Sequence, residues 1–109
     1  VNEFGDATRE AVYARSGGAC EVCGSRTRLH LHHRRRRGIR GEHGACSCNA
    51  LLLCWVCHDY VHAHPRSSRE QGWLVHSTVR IPATVAATLR QKEVILDCGA
   101  VLDIAARAT

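Results

Sequence analysis

The sequence predicts a small α+β fold held together by metal more than by apolar burial. Three observations carry that expectation. The chain has 109 residues, which suits one domain with a marginal core. Two Cys-x2-Cys pairs, Cys20/Cys23 and Cys54/Cys57, stand 30 residues apart, and knuckles of this kind ligate structural zinc. Around them short patterns change period, from alternation over residues 27–33 to an apolar run over 50–53 and a helical segment over 57–64.

Taken in order, Asp6 is a candidate N-cap and residues 7–16 (ATREAVYARS) read as a helix with a modest apolar face, stopped by Gly17 and Gly18. Cys20–Cys23 and Gly24 form a knuckle turn. TRLHLHH alternates and predicts a short strand ending at His32 and His33. Residues 34–49 have no periodicity and carry Gly38, Gly41 and Gly44, so they read as a loop. An apolar stretch then enters the second knuckle, and a helix from Cys57 is expected to end at Pro65. Beyond Pro65, short β-type runs at 73–75, 79–81, 84–89, 93–97 and 101–104 predict a β-hairpin or meander packed on the rest. A helix over 83–96 is the alternative, since its residues are good helix formers. The expected organisation is one domain over 1–109, with a core at 13–65 and a C-terminal extension at 72–109.

Net charge is +5 and the pI about 9.1, and Lys92 is the single lysine. Seven arginines fall between Arg26 and Arg40. The run Arg34, Arg35, Arg36, Arg37, followed by Arg40, is a candidate phosphate-binding stripe, because a guanidinium grips phosphate oxygens through a planar fork. A solvated basic loop is the bland reading of the same run. No apolar stretch approaches a membrane span or a secretory leader, so paired cysteines read as metal ligands in a reducing cytoplasm rather than as disulfides.

Cys20, Cys23, Cys54 and Cys57 are the expected ligands of one structural Zn²⁺. Cys46 or Cys48 as a substitute ligand is the weaker alternative, because Cys-Ser-Cys lacks zinc-finger spacing. That leaves Cys46, Cys48 and Cys98 as small core thiols. His58 and His62, four apart on a helix, project from one face. With His32 on the strand they make three ligands and leave coordination positions open, as a catalytic metal requires. His64 competes with His62 for the third place. His30, His43 and His76 read as ordinary surface or core histidines.

These residues resemble the HNH endonucleases, which have the ββα-metal (His-Me finger) fold. The resemblance rests on CEVCG, LHLHH, CNALLLCWVCH and DYVH, and covers about half the chain. The tail looks like extensions of phage-encoded members, which commonly carry a four-cysteine zinc. The resemblance implies His33 as the general base that activates water and Asn49 as the residue that fixes the loop and orients His33. It implies His32 and His58 as ligands of a catalytic divalent metal, with His62 matching a third. Where many members have aspartate this chain has His32, which favours Zn²⁺, Ni²⁺ or Mn²⁺ beside Mg²⁺. The implied activity is cleavage or nicking of DNA to 5′-phosphate and 3′-hydroxyl ends. Phage members act beside terminase proteins in DNA packaging, so a terminase or another specificity-conferring protein is an implied partner. The rival expectation is a noncatalytic zinc-ribbon DNA-binding module in which the histidines are incidental.

Overall fold

The computed structural model describes residues 3–36 and 43–98. Its order is α1 (Asp6–Ser16), β1 (Leu29–His33), a 3-10 turn (Ser47–Asn49), β2 (Ala50–Cys54), α2 (Trp55–Ala63), α3 (Pro65–Glu70), a second 3-10 turn (Pro82–Thr84), β3 (Ala87–Leu89) and β4 (Lys92–Val94). This is an α+β fold with two separate two-stranded antiparallel sheets. Arg37, Arg40 and the expected run at 101–104 lie outside the described residues.

Strand β2 is the centre of the molecule, with all five residues buried. Alternation along it sends Ala50 and Leu52 toward Val12 of α1, with Phe4, Leu29 and Leu31 packed alongside. Leu51 and Leu53 face the other way, onto Cys20, Val61 of α2, and Ala87 and Leu96 from the C-terminal hairpin. β1 pairs with β2 in unbroken register from Leu29↔Cys54 to His33↔Ala50. His32 therefore shares the α2 side with Leu51, and His33 falls on the α1 side.

Helix α1 begins at its expected cap, one residue early: Gly5 is the N-cap and Asp6 sits in the first turn, where a carboxylate favours the helix dipole. Gly17 closes it in the left-handed region at φ 70°, which a side chain would disfavour. Arg15 fastens this helix to the sheet. Its Nε and Nη2 donate to the two carboxylate oxygens of buried Glu21 at 2.8 and 2.7 Å, and Nη2 also donates to the Ala50 carbonyl at 2.7 Å. Glu21 Oε1 accepts from the Leu52 N–H at 2.9 Å, so one part-buried ion pair joins α1, the first knuckle and β2.

Helix α2 ends at Ala63, ahead of Pro65 as expected, but Pro65 also opens a further helix. It occupies the first turn of α3, where its missing N–H costs nothing. Of the expected C-terminal strands, the described residues keep one hairpin. Its turn is Arg90-Gln91 at φ 50° and 68°, the paired positive φ of a tight two-residue hairpin. Residues 73–75 and 79–81 are irregular, and 83–96 is not a helix.

The irregular segment from Gly72 to Val85 leaves carbonyls without strand partners, and two arginines supply the donors. Arg34, fully buried, donates to the carbonyls of Gly72 (2.8 Å), Cys48 (2.8 Å), Pro82 (3.1 Å) and Val85 (2.5 Å). Arg35, 1% exposed, donates from Nη1 to Val79 (2.7 Å) and Arg80 (2.6 Å). This corrects the expectation that the run binds phosphate throughout. Arg34 and Arg35 are internal struts, and only Arg36 of the described run is exposed. Burial pushes the Arg34 guanidinium down to about 10, which keeps it charged at neutral pH.

Arg34→Ala orphans several buried carbonyls and is expected to cost about 3–5 kcal/mol in urea denaturation. Arg36→Ala should stay within about 0.5 kcal/mol of wild type. Equal small losses for both would show that the Arg34 bonds do not hold the segment.

Candidate metal centres and the adjoining cleft

The two knuckles meet at the junction of β2 and α2. Cys54 ends the strand and N-caps the helix, and Cys57 lies in the first turn of α2. The first knuckle is closed by Cys20 N–H to Ser25 O (2.7 Å) and Gly24 N–H to Cys20 O (2.8 Å), with Gly24 at φ 86°, and is joined to β2 by Glu21 N–H to Leu52 O (2.8 Å). The sulfurs of Cys20, Cys23, Cys54 and Cys57 all lie within 4.8 Å of one another, and Cys23 and Cys54 are 3.6 Å apart. Four sulfurs about 2.3 Å from one zinc stand about 3.8 Å apart, so this cluster could hold a structural zinc. Burial resists ionisation of Cys20, but N–H groups of Cys23, Cys54 and Val22 outweigh it and the thiol is pushed down to about 7. Burial pushes Cys57 up. Thiols crowded this closely cannot all ionise without a cation among them.

A second sulfur-rich cluster joins His43, Cys46, Cys48 and Cys98, whose donor atoms also lie within 4.8 Å of one another. It too could hold a structural zinc. Spacing alone gives Cys46, Cys48 and Cys98 no metal partner and His43 no role, and the fold gathers all four. Cys98 comes from a distant segment, so the only hint in the sequence is Cys-x-Cys beside a histidine.

The third cluster is His32, His58 and His62. Helical spacing brings His58 Nε2 and His62 Nε2 to 3.1 Å, close to the roughly 3.3 Å between two nitrogens bound about 2.0–2.1 Å from one metal. The His32 ring packs edge-on to both, at centroid distances of 5.6 and 5.8 Å. His32 Nε2 lies 2.9 Å from the Trp73 carbonyl. A carbonyl only accepts, so Nε2 carries the proton and Nδ1 the lone pair. A ring fixed through one nitrogen on a carbonyl is the usual state of a metal-ligating histidine. His64 stands apart from this cluster. Its ring stacks on Tyr60 at 4.2 Å, and its Nδ1 meets the Tyr60 carbonyl.

A cleft of about 680 Å³ opens over these rings, lined by His32, His33, Arg36, His58, His62 and Arg69 among others. His33 ends β1 without a bulge. It reaches the cleft rim from the opposite face, its ring stacked on Phe4 at 3.9 Å and 13°. Asn49 is buried. Its Oδ1 accepts from the Arg35 N–H (2.7 Å), and its Nδ2 donates to the carbonyls of Arg35 (3.2 Å) and Gly44 (2.9 Å). It thus ties both ends of the arginine loop beside the strand end that bears His32 and His33. Arg69 is a cleft residue that no motif marks, because α3 itself was unexpected.

Burial, reinforced by His58, His62 and His33, holds the His32 imidazole down to about 4 despite the Trp73 carbonyl, which favours the charged ring. His58 is lowered as well, by burial first and then by His62 and His30. Both rings therefore favour the neutral, metal-binding form at neutral pH.

Among the described residues no helix is long and apolar enough to cross a membrane. No protein-family model, curated protein or solved structure matches the chain.

A depressed folded pKa gives His32 a stability contribution that is complete above its unfolded value near 6.5 and is lost as pH falls toward about 4. The full loss is of order 3 kcal/mol. Metal-free at the histidine site, wild type should lose more denaturation free energy between pH 7 and pH 4.5 than His32→Gln does. Equal losses would mean that His32 is not held neutral.

Proposed function

We propose that the chain is a metal-dependent DNA endonuclease or nickase of the HNH type, with β1, β2 and α2 as its ββα-metal unit. One observation carries this reading: His32 from the first strand and His58 and His62 from the following helix converge in a cleft that also holds His33, Arg36 and Arg69. A binding module needs no such convergence.

The donor set fits a divalent metal, since two imidazole nitrogens already stand at about ligand separation. Held by His32, His58 and His62, such an ion would supply Lewis-acid stabilisation of charge on a scissile phosphate. Imidazoles suit Zn²⁺, Ni²⁺ or Mn²⁺ better than Mg²⁺, which prefers oxygen ligands. His33 takes the proton from the attacking water, and stacking on Phe4 fixes its ring plane. Asn49 is a positioning residue. It clamps the Arg35 peptide, two residues past His33, and so holds the strand end against the cleft. Arg36 and Arg69 offer exposed guanidinium groups to flanking phosphates. In-line attack by that water would break the bond from phosphorus to the 3′-oxygen, which takes a proton from solvent, and so leave 5′-phosphate and 3′-hydroxyl ends. A partner such as a terminase would supply sequence specificity.

Relaxation of supercoiled plasmid with Mn²⁺, Ni²⁺, Zn²⁺ or Mg²⁺ tests the reading. Wild type should nick and EDTA should stop it. His33→Ala should bind DNA as before and lose about 10²–10⁴ in rate, the usual worth of a general base. Tight DNA binding with no cutting under any metal would favour the noncatalytic zinc-ribbon module. Undiminished cutting by His33→Ala would remove His33 from the chemistry. Arg36→Ala and Arg69→Ala should each weaken DNA binding and reduce its salt dependence by about one counterion.

A further inference from the structure

The cluster of His43, Cys46, Cys48 and Cys98 contributes nothing to the proposed reaction, yet it gathers donors from two distant stretches of chain. We propose that it is a second structural zinc site, separate from the four-cysteine knuckles, and that its task is to lock the turn bearing Asn49 to the C-terminal segment.

Geometry and composition agree on zinc. Three sulfurs and one imidazole are a standard closed structural set. Cys98 Sγ lies 3.7 Å from His43 Nδ1, near the roughly 3.5 Å edge expected between a sulfur at about 2.3 Å and a nitrogen at about 2.0–2.1 Å from one ion. Cys48 is fully buried and the other three residues are part-buried, so the site is largely shielded. None of the three cysteines is in a disulfide.

What the site would hold follows from its hydrogen bonds. Cys46 N–H donates to His43 O (3.2 Å) and Asn49 N–H to Cys46 O (3.0 Å), so three ligands sit on one tight turn that runs into Asn49. Asn49 Nδ2 bonds the carbonyl of Gly44 inside this turn, and Arg34 Nη1 bonds that of Cys48. Thr8 of α1 donates to Ala45 O at 2.8 Å. The turn is therefore joined to α1, the Arg34 strut and the Asn49 clamp. Cys98 follows Leu96, which is buried in the core on the far side of β2. A zinc bound here cross-links that segment to the turn and closes a long loop, where a cross-link restricts the unfolded chain most.

Native mass spectrometry of His58→Ala/His62→Ala protein, purified with zinc and without chelator, counts thiolate-bound zinc without the histidine site. Two zinc ions per chain are expected. In the same background Cys98→Ser should retain one, and Cys98→His, which restores a ligand, should retain two. Hydrogen exchange should quicken severalfold at the Asn49 and Arg35 amides in Cys98→Ser, while β2 amides near the knuckles keep their protection. One zinc in the parent, or a mass lower by two hydrogens that marks a disulfide among Cys46, Cys48 and Cys98, overturns the proposal. So does a Cys98→Ser protein that still holds two. None of these outcomes depends on whether the protein cuts DNA.

Discussion

Everything in this fold that concerns the histidine cleft hangs on one junction, the peptide between Cys54 and Trp55. There β2 ends, α2 begins, and the thiols on either side converge with the first knuckle. The apolar core is thin. Its fully buried large side chains are chiefly Val12, Leu51, Leu52, Leu53, Val61 and Leu96. A core of that size stabilises a domain weakly, and metal ligation at the strand–helix corner is a way to make the corner rigid. His58 is the next residue after Cys57, so whatever fixes Cys57 also fixes the first turn of α2 and the direction of both its imidazoles. A zinc bound by the four thiols would therefore set the geometry of the histidine cluster.

The second constraint is electrostatic. Burying a guanidinium is costly unless its donors are used, and Arg34 uses them on three carbonyls of a segment that has no sheet to pair with and on that of Cys48. The same residue follows His33, whose strand hydrogen bonding continues through Arg34 N–H to Asn49 O at 2.8 Å. Strand end, loop clamp and C-terminal segment thus meet at one buried cation. Of the arginines that line the cleft, Arg36 and Arg69 are exposed and Arg34 is buried.

Much of the arrangement is legible in the sequence because it is local. Cys-x2-Cys spacing, alternation before His32 and His33, the apolar stretch before Cys54 and the four-residue step from His58 to His62 are short-range patterns with direct physical meaning. What the sequence hides is long-range. Nothing in an arginine run tells which side chains will meet orphaned carbonyls fifty residues away. Cys98 lies far from Cys46 and Cys48, and only folding makes them neighbours. Pro65 reads as a stop, and α2 does end before it, but it also starts α3, because a proline at the first helical turn loses no hydrogen bond. The fold groups His62 with His32 and His58, while the ring and carbonyl of Tyr60 engage His64.

The central claim is that the thiol staple assembles the histidine site. Calorimetric titration of Ni²⁺ into zinc-loaded wild type and into Cys20→Ser tests it most directly, since that substitution touches no histidine. The account predicts a histidine site in wild type that vanishes with His58→Ala, and one that is lost or greatly weakened in Cys20→Ser. Unchanged Ni²⁺ affinity in Cys20→Ser would contradict it, and would mean that the three imidazoles are positioned by packing alone.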